Sequence, residues 1–461
     1  MNTKTKRTTL MVLSTLTLAT AIAPAIGAKE VSAQTATKQA TKQSVVQTSD
    51  LLDKLDFVKR VGNVGLFEHA KKGILKSLPL VSAKDQIKVN LELSNTEASL
   101  RMTDISTKFD AFLNSGKGLK NIDVQILKQD VSKIPVNSPH FKVAQQKQTQ
   151  MVQMKAKLDY DAFMIQARHG ALSPEELKSL TNIVQSLRPE TIKSSTEVVE
   201  KLKSEQNIQQ LQNTMRLVYN TPDKSLIGVL EKEVNKLSAS PGKTDLLSKL
   251  KEVKKKERFI STKDVHQQLM VNSRRFDFGQ YDVPIFVQER IKEQLFETKK
   301  TNPGEYERYA RTFYGKEVEN YYNSLRRINE INSDHLNVFK SKIAFFEKQS
   351  GFINDREYMN FLEKVQREAD QLDILRLKSK YPALADAEVQ KTLNMMAIEY
   401  PQLLESTQLS VDKERSNLAL KYIRFYEVFG KKIEDYQAAL EKVNDVKTDR
   451  HKQMLLEKLN K

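Results

Sequence analysis

Apolar residues spaced three and four apart constrain this chain more than any other feature. Met151, Met154, Leu158, Ala162 and Ile165 follow that spacing along one stretch. Val198, Leu202, Ile208, Leu211, Met215 and Val218 follow it along another, with one polar break at Glu205. A helix turns once every 3.6 residues, so each set falls on one face. Each stretch is about 30 residues long, or roughly 45 Å if fully helical. Ala310, Tyr314, Val318, Tyr321, Leu325 and Ile328 form a third stripe. Leu418, Tyr422, Phe425, Tyr426, Phe429, Ile433, Tyr436 and Leu440 form a fourth. Only 14 Gly and 12 Pro interrupt 461 residues. The expectation is a mainly α fold, an elongated multi-helix bundle in two lobes.

One region reads differently. Ile87, Val89, Leu91 and Leu93 alternate with Lys88, Asn90 and Glu92, and Ile122, Val124 and Ile126 repeat the pattern. A period of two is that of a half-buried strand. Residues 51–140 are therefore expected to form a small α+β unit. Residues 141–240 then form a bundle of long helices, and residues 241–461 an aromatic-rich helical domain. The boundary is placed at Ser238-Ala239-Ser240-Pro241-Gly242, whose small residues and proline read as a linker. The segment 276–283 alternates Phe and Tyr with Asp around Gly279-Gln280, the pattern of a tight hairpin.

The start of the chain gives an address. Lys4, Lys6 and Arg7 precede an uncharged apolar run over residues 10–28, and Val31-Ser32-Ala33 supplies small residues for cleavage. Residues 1–33 thus read as a secretory signal peptide, with Gln34 as the mature N-terminus. Residues 34–50 are polar, with Thr-Lys-Gln repeated, and are expected to be disordered. The sequence has no cysteine, so an exported chain of this length must be held by its core rather than by disulfides. The formal net charge is +17, which favours anionic partners outside the cell.

Residues 276–361 hold 17 of the chain's aromatic Phe and Tyr side chains, against totals of 19 Phe and 14 Tyr. Aromatic side chains bring the largest apolar area per residue, so the densest core belongs here. Arg308, Arg311, Arg326 and Arg327 flank the stripe without lying on it. Tyr and Arg carry a large share of interface energy, so the candidate binding residues are Tyr309, Arg311, Tyr322, Arg326 and Arg327.

Recognisable catalytic patterns are few. The six histidines never fall three or four residues apart, so no helix presents a His pair to a metal. Gly116-Lys117-Gly118 lacks the spacing of a phosphate loop and the hydroxyl residue after the lysine. Arg168-His169-Gly170 matches the triplet that opens the active site of histidine phosphatases, where it follows a buried strand. Here it follows a helical stripe, and Ser173-Pro174-Glu175-Glu176 after it reads as a helix start. The triplet is thus read as a turn, with Gly170 as a left-handed helix end.

The function expected is that of a secreted bacterial binding protein, a virulence-type or extracellular interaction factor. Its partner is a host protein, an envelope polyanion or a toxin component, with peripheral membrane contact compatible and no nucleic acid expected. No catalytic residue, metal or cofactor is expected. A pore-forming helical toxin and a secreted hydrolase are the alternatives, and the sequence is silent on oligomeric state.

Overall fold

The structure is a computed structural model that describes residues 47–113 and 118–461. The expected signal peptide and residues 34–46 of the polar tail lie outside the described residues. The tail's last residues are ordered, because α1 (Thr48–Val61) begins inside it.

Helix is the only regular element among the described residues, so the mainly α expectation holds and the α+β unit does not. After α1 come α2 (Val64–Ser77), α3 (Ala83–Leu113) and α4 (Asn121–Ser132). The residues expected on strands lie on α3 and α4. In α3, Val89 and Leu93 are 0% and 7% exposed, whereas Ile87 and Leu91 are 72% and 63% exposed. Half of the alternating set is therefore a helical i, i+4 pair, and the other half sits in solvent. In α4 the buried apolar residues are Leu127 and Val131, again four apart.

Two long helices follow where the three-and-four stripes put them, α5 (Phe141–Ala167) and α7 (Pro189–Asn220), with α6 (Pro174–Val184) between them. The start of α6 is a reciprocal cap. Glu176 N–H donates to Ser173 Oγ at 3.2 Å, and Ser173 N–H donates to Glu176 Oε2 at 2.8 Å. Arg168, His169 and Gly170 form the turn after α5. Gly170 is not left-handed; among the described residues the positive-φ glycines are Gly62, Gly351 and Gly430. It is glycine because the Asn320 side chain occupies the space a Cβ would need.

Helices α8 (Lys224–Lys236) and α9 (Pro241–Lys254) pack on each other. The linker-like Ser238–Gly242 segment is their connection, with Ser240 capping α9 at Lys243 N–H. Helix α10 (Thr262–Arg275) leads into the segment expected as a hairpin. It is instead a 3-10 turn, Gln280–Asp282, closed by Gly279 N–H donating to Asp282 Oδ2 at 2.9 Å. An Asp placed to accept from the start of a turn competes with strand pairing. Helices α11 (Ile285–Thr301), α12 (Pro303–Leu325), α13 (Ser333–Ser350) and α14 (Arg356–Lys380) complete the aromatic region. The chain ends with α15 (Asp386–Glu399), α16 (Pro401–Val428), α17 (Ile433–Asn444) and α18 (Asp449–Leu459). Tyr381 and Tyr400 both fall between helices, as expected of residues before proline, and Pro401 is the first residue of α16.

The cores do not follow sequence order. The largest runs from α7 to α14 and is rich in Phe and Tyr. A second joins Leu55, Phe67 and Val89 near the N-terminus to Ile423 and Val443 near the C-terminus. A third joins α3, α4 and α5 to α14, α15 and α16.

Candidate functional site

Helix α12 carries all the candidate binding residues on itself or just past its end. Asn302 starts it by accepting from Glu305 N–H at 3.3 Å. Ala310, Tyr314, Val318, Tyr321 and Leu325 are buried, so the stripe read from spacing is the core face. The five candidates separate into two groups. Tyr309 is outside the fully buried core, with the Arg274 guanidinium 5.7 Å from its ring centre. Arg311 Nη2 lies 2.8 Å from Asp355 Oδ2, the residue that caps α14. Tyr322 stacks on Phe361 at 4.1 Å and 7° between planes. These three are engaged within the molecule.

Arg326 and Arg327 differ from the other three. Both are exposed in the turn after α12, and among the described residues neither side chain has an ion-pair or hydrogen-bond partner. Tyr309 and Tyr322 stand roughly 20 Å apart along the helix axis, so the five do not converge on one point.

Arg327 also lines a cavity of about 230 Å³ between α5 and the α12–α13 connection. A second cavity, of about 480 Å³, lies among α5, α6, α12 and α13. Lys155, Asp159 and His335 face both. Lys155 pairs with Asp159 one turn along α5 and lies 3.8 Å from Asp334 Oδ2. Asp334 in turn accepts from Asn121 N–H at 2.8 Å. On the far wall, Lys342 Nζ is 2.6 Å from Glu176 Oε1, which also accepts from Gln166 Nε2 at 2.8 Å.

Electrostatics fix the protonation states here. Burial and the nearby Lys155 ammonium push the His335 pKa down to about 4, so the ring is neutral at physiological pH. Its Nδ1 accepts from Asn332 N–H at 3.3 Å. Burial opposes ionisation of Glu176, but Lys342 and the hydrogen bonds outweigh it and hold the carboxyl below its ordinary range. Burial raises the Tyr321 hydroxyl, which donates to His335 O at 3.4 Å. Glu317, nearby on α12, is pushed up to about 8 by burial and then by Asp282. Its Oε1 accepts from Tyr281 N–H at 3.3 Å, while Oε2 is buried and unpartnered. The cleft's charges are mostly paired with one another, which holds its walls in a fixed arrangement, and Arg327 lies on the smaller cavity.

Among the described residues no group of three or more His, Asp and Glu is arranged to hold a metal ion. Nor is any described helix long and apolar enough to cross a membrane. No protein-family model matches the chain, and neither curated proteins nor solved structures give a significant match.

Sequence reading finds Arg327 but not the cleft beside it. The Lys155–Asp159 pair carries a local signal, since residues four apart on a helix meet. The Lys342–Glu176 pair has none, because only folding brings α13 to the start of α6.

Proposed function

We propose that this chain is a secreted helical binding protein, an extracellular interaction factor of the virulence type, that grips a host protein or an anionic polymer. Arg326 and Arg327 make the contact. The observation that carries this reading is their freedom: they are exposed and unpaired at the end of a helix whose opposite face is locked in the aromatic core. Arg binds carboxylates and phosphates through a planar fork, and an unpaired fork costs little to redirect to a partner. The basic balance of the chain adds long-range attraction to an anionic surface. Export rests on the signal-like residues 1–33.

The test is a pull-down with residues 34–461 as bait, from host serum, host-cell lysate and the producing cell's envelope. An Arg326→Glu/Arg327→Glu bait runs in parallel. The expected result is a partner held by the parent and released by the double variant. Equal capture by both baits would remove these arginines from the interface.

A further inference from the structure

A third cavity, remote in sequence from the arginine pair, is lined by lysines from two helices and the start of a third. It encloses about 360 Å³. Lys54 comes from α1, Lys72 and Lys76 from α2, and Lys432 is the residue just before α17. Three carboxylates share its walls: Asp435, Glu441 and Glu434. Asp435 is buried, with Oδ1 2.6 Å from His69 Nε2. Glu441 pairs with Lys442 at 2.9 Å, and exposed Glu434 sits 3.9 Å from Lys76. Among the described residues Lys54, Lys72 and Lys432 have no ion-pair or side-chain hydrogen-bond partner, although Lys54 lies over the Phe429 ring at 5.7 Å.

We infer that this cavity is a binding site for a phosphate group carrying two negative charges, distinct from the Arg326–Arg327 surface. Ammonium groups gathered around one space repel each other, and a bound anion removes that cost. Burial lowers the Lys54 pKa and the nearby Lys432 charge lowers it further, while Asp435 and Asp50 act in the opposite direction. Lysine acts as a compact point charge and suits phosphate without the planar match that arginine imposes. A phosphate dianion with bridging water offers oxygens to all three unpaired lysines, more than a single carboxylate can. The volume is at the lower end of ordinary ligand sites, enough for a phosphate with a modest organic attachment. Such a group could come from a free phosphorylated compound or from a lipid headgroup, because both present the same oxygens.

The experiment uses residues 34–461 and three probes: inorganic phosphate, pyrophosphate, and phosphatidylcholine vesicles with and without phosphatidic acid. Calorimetry reads the soluble probes and co-sedimentation reads the vesicles. Lys72→Ala/Lys432→Ala is the test variant, since both side chains are exposed and removing them leaves the core intact. It should melt with the parent and lose about tenfold or more in affinity. Lys255→Ala/Lys263→Ala, two exposed lysines elsewhere, and Arg326→Glu/Arg327→Glu should both bind like the parent. Loss confined to the soluble probes identifies a free phosphate compound as ligand. Loss confined to phosphatidic acid vesicles identifies a lipid headgroup. A parent that binds none of the probes overturns the proposal, as does an equal loss in the Lys255/Lys263 control.

Discussion

Arg376 and the Arg326–Arg327 pair show the same residue type in opposite circumstances. Arg376 is 1% exposed. Its Nη2 lies 2.8 Å from Asp123 Oδ1, its Nε 3.1 Å from Glu388 Oε1, and its Nη1 donates to Gly118 O. Lys120 Nζ joins the cluster, 2.6 Å from Asp373 and 2.8 Å from Glu388. Burial opposes ionisation of Glu388, but Arg376 and Lys120 outweigh it and hold the carboxyl below its ordinary value. This cluster ties the start of α4 to α14 and α15. Arg326 and Arg327 have no such ties. A buried arginine whose bonds are met serves the fold, and an exposed one whose bonds are open is available to something else.

The largest effect expected from that contrast is at Arg376→Ala. It strands Asp123 without its cation and leaves Glu388 with Lys120 alone, and breaking a buried pair from one side typically costs about 3–5 kcal/mol. Thermal melting should fall steeply; a loss as small as that of a surface change would erase the difference between the two arginine environments.

Glu317→Gln probes the converse case, because Glu317 is a buried carboxyl with no ion pair. Its folded pKa of about 8 lies above the ordinary 4.5. A raised carboxyl pKa means the folded state holds the proton more tightly than the unfolded chain. Its contribution is full below about pH 4.5 and declines as pH rises towards 8. Gln keeps the neutral form at every pH. The variant should therefore gain stability over the parent on going from pH 5 to pH 9, by an amount on the order of a few kcal/mol. Urea melts at the two pH values measure it, and parallel behaviour of the two proteins would show that Glu317 ionises freely in the fold.

Arg311 lies between the extremes. Its side chain is 38% exposed and pairs with the capping Asp355. Arg311→Ala should cost about 1 kcal/mol or less, the range of partly exposed pairs. Thermal melts decide its role. A loss comparable to that of Arg376→Ala would make it structural, and no loss at all would return it to the candidate interface.

The fold is readable in the sequence wherever helical spacing stands alone. The Ala310–Leu325 stripe is the buried face of α12, and Ser173 with Glu176 is the cap of α6. The sequence misleads where a helical pair is hidden inside an alternating run. Val89 and Leu93 are the core residues of that run, and the apolar side chains of Ile87 and Leu91 beside them face solvent, which no local rule separates. Phe276 and Phe278 mimic a strand because a turn that stacks two rings, 5.7 Å apart, also places aromatics at alternate positions. The site is readable in part. Rim arginines next to an apolar stripe are a local pattern, so Arg326 and Arg327 are accessible to sequence reasoning. That Arg311 and Tyr322 are already engaged depends on Asp355 and Phe361, which are distant in sequence. The lysine cavity joins residues from opposite ends of the chain, and nothing in either end announces the other.

Arg326→Glu/Arg327→Glu carries the smallest stability effect and bears most directly on the binding role of these arginines. Reversing two exposed, unpaired charges should shift stability by no more than about 0.5 kcal/mol. Melting and affinity for the captured partner should be measured on the same sample at low and at high salt. The expected result is an unchanged melt and weakened binding, with the deficit largest at low salt, where charge contacts are least screened. An unchanged melt with full binding at both salt concentrations would contradict the assignment of Arg326 and Arg327 to the interface.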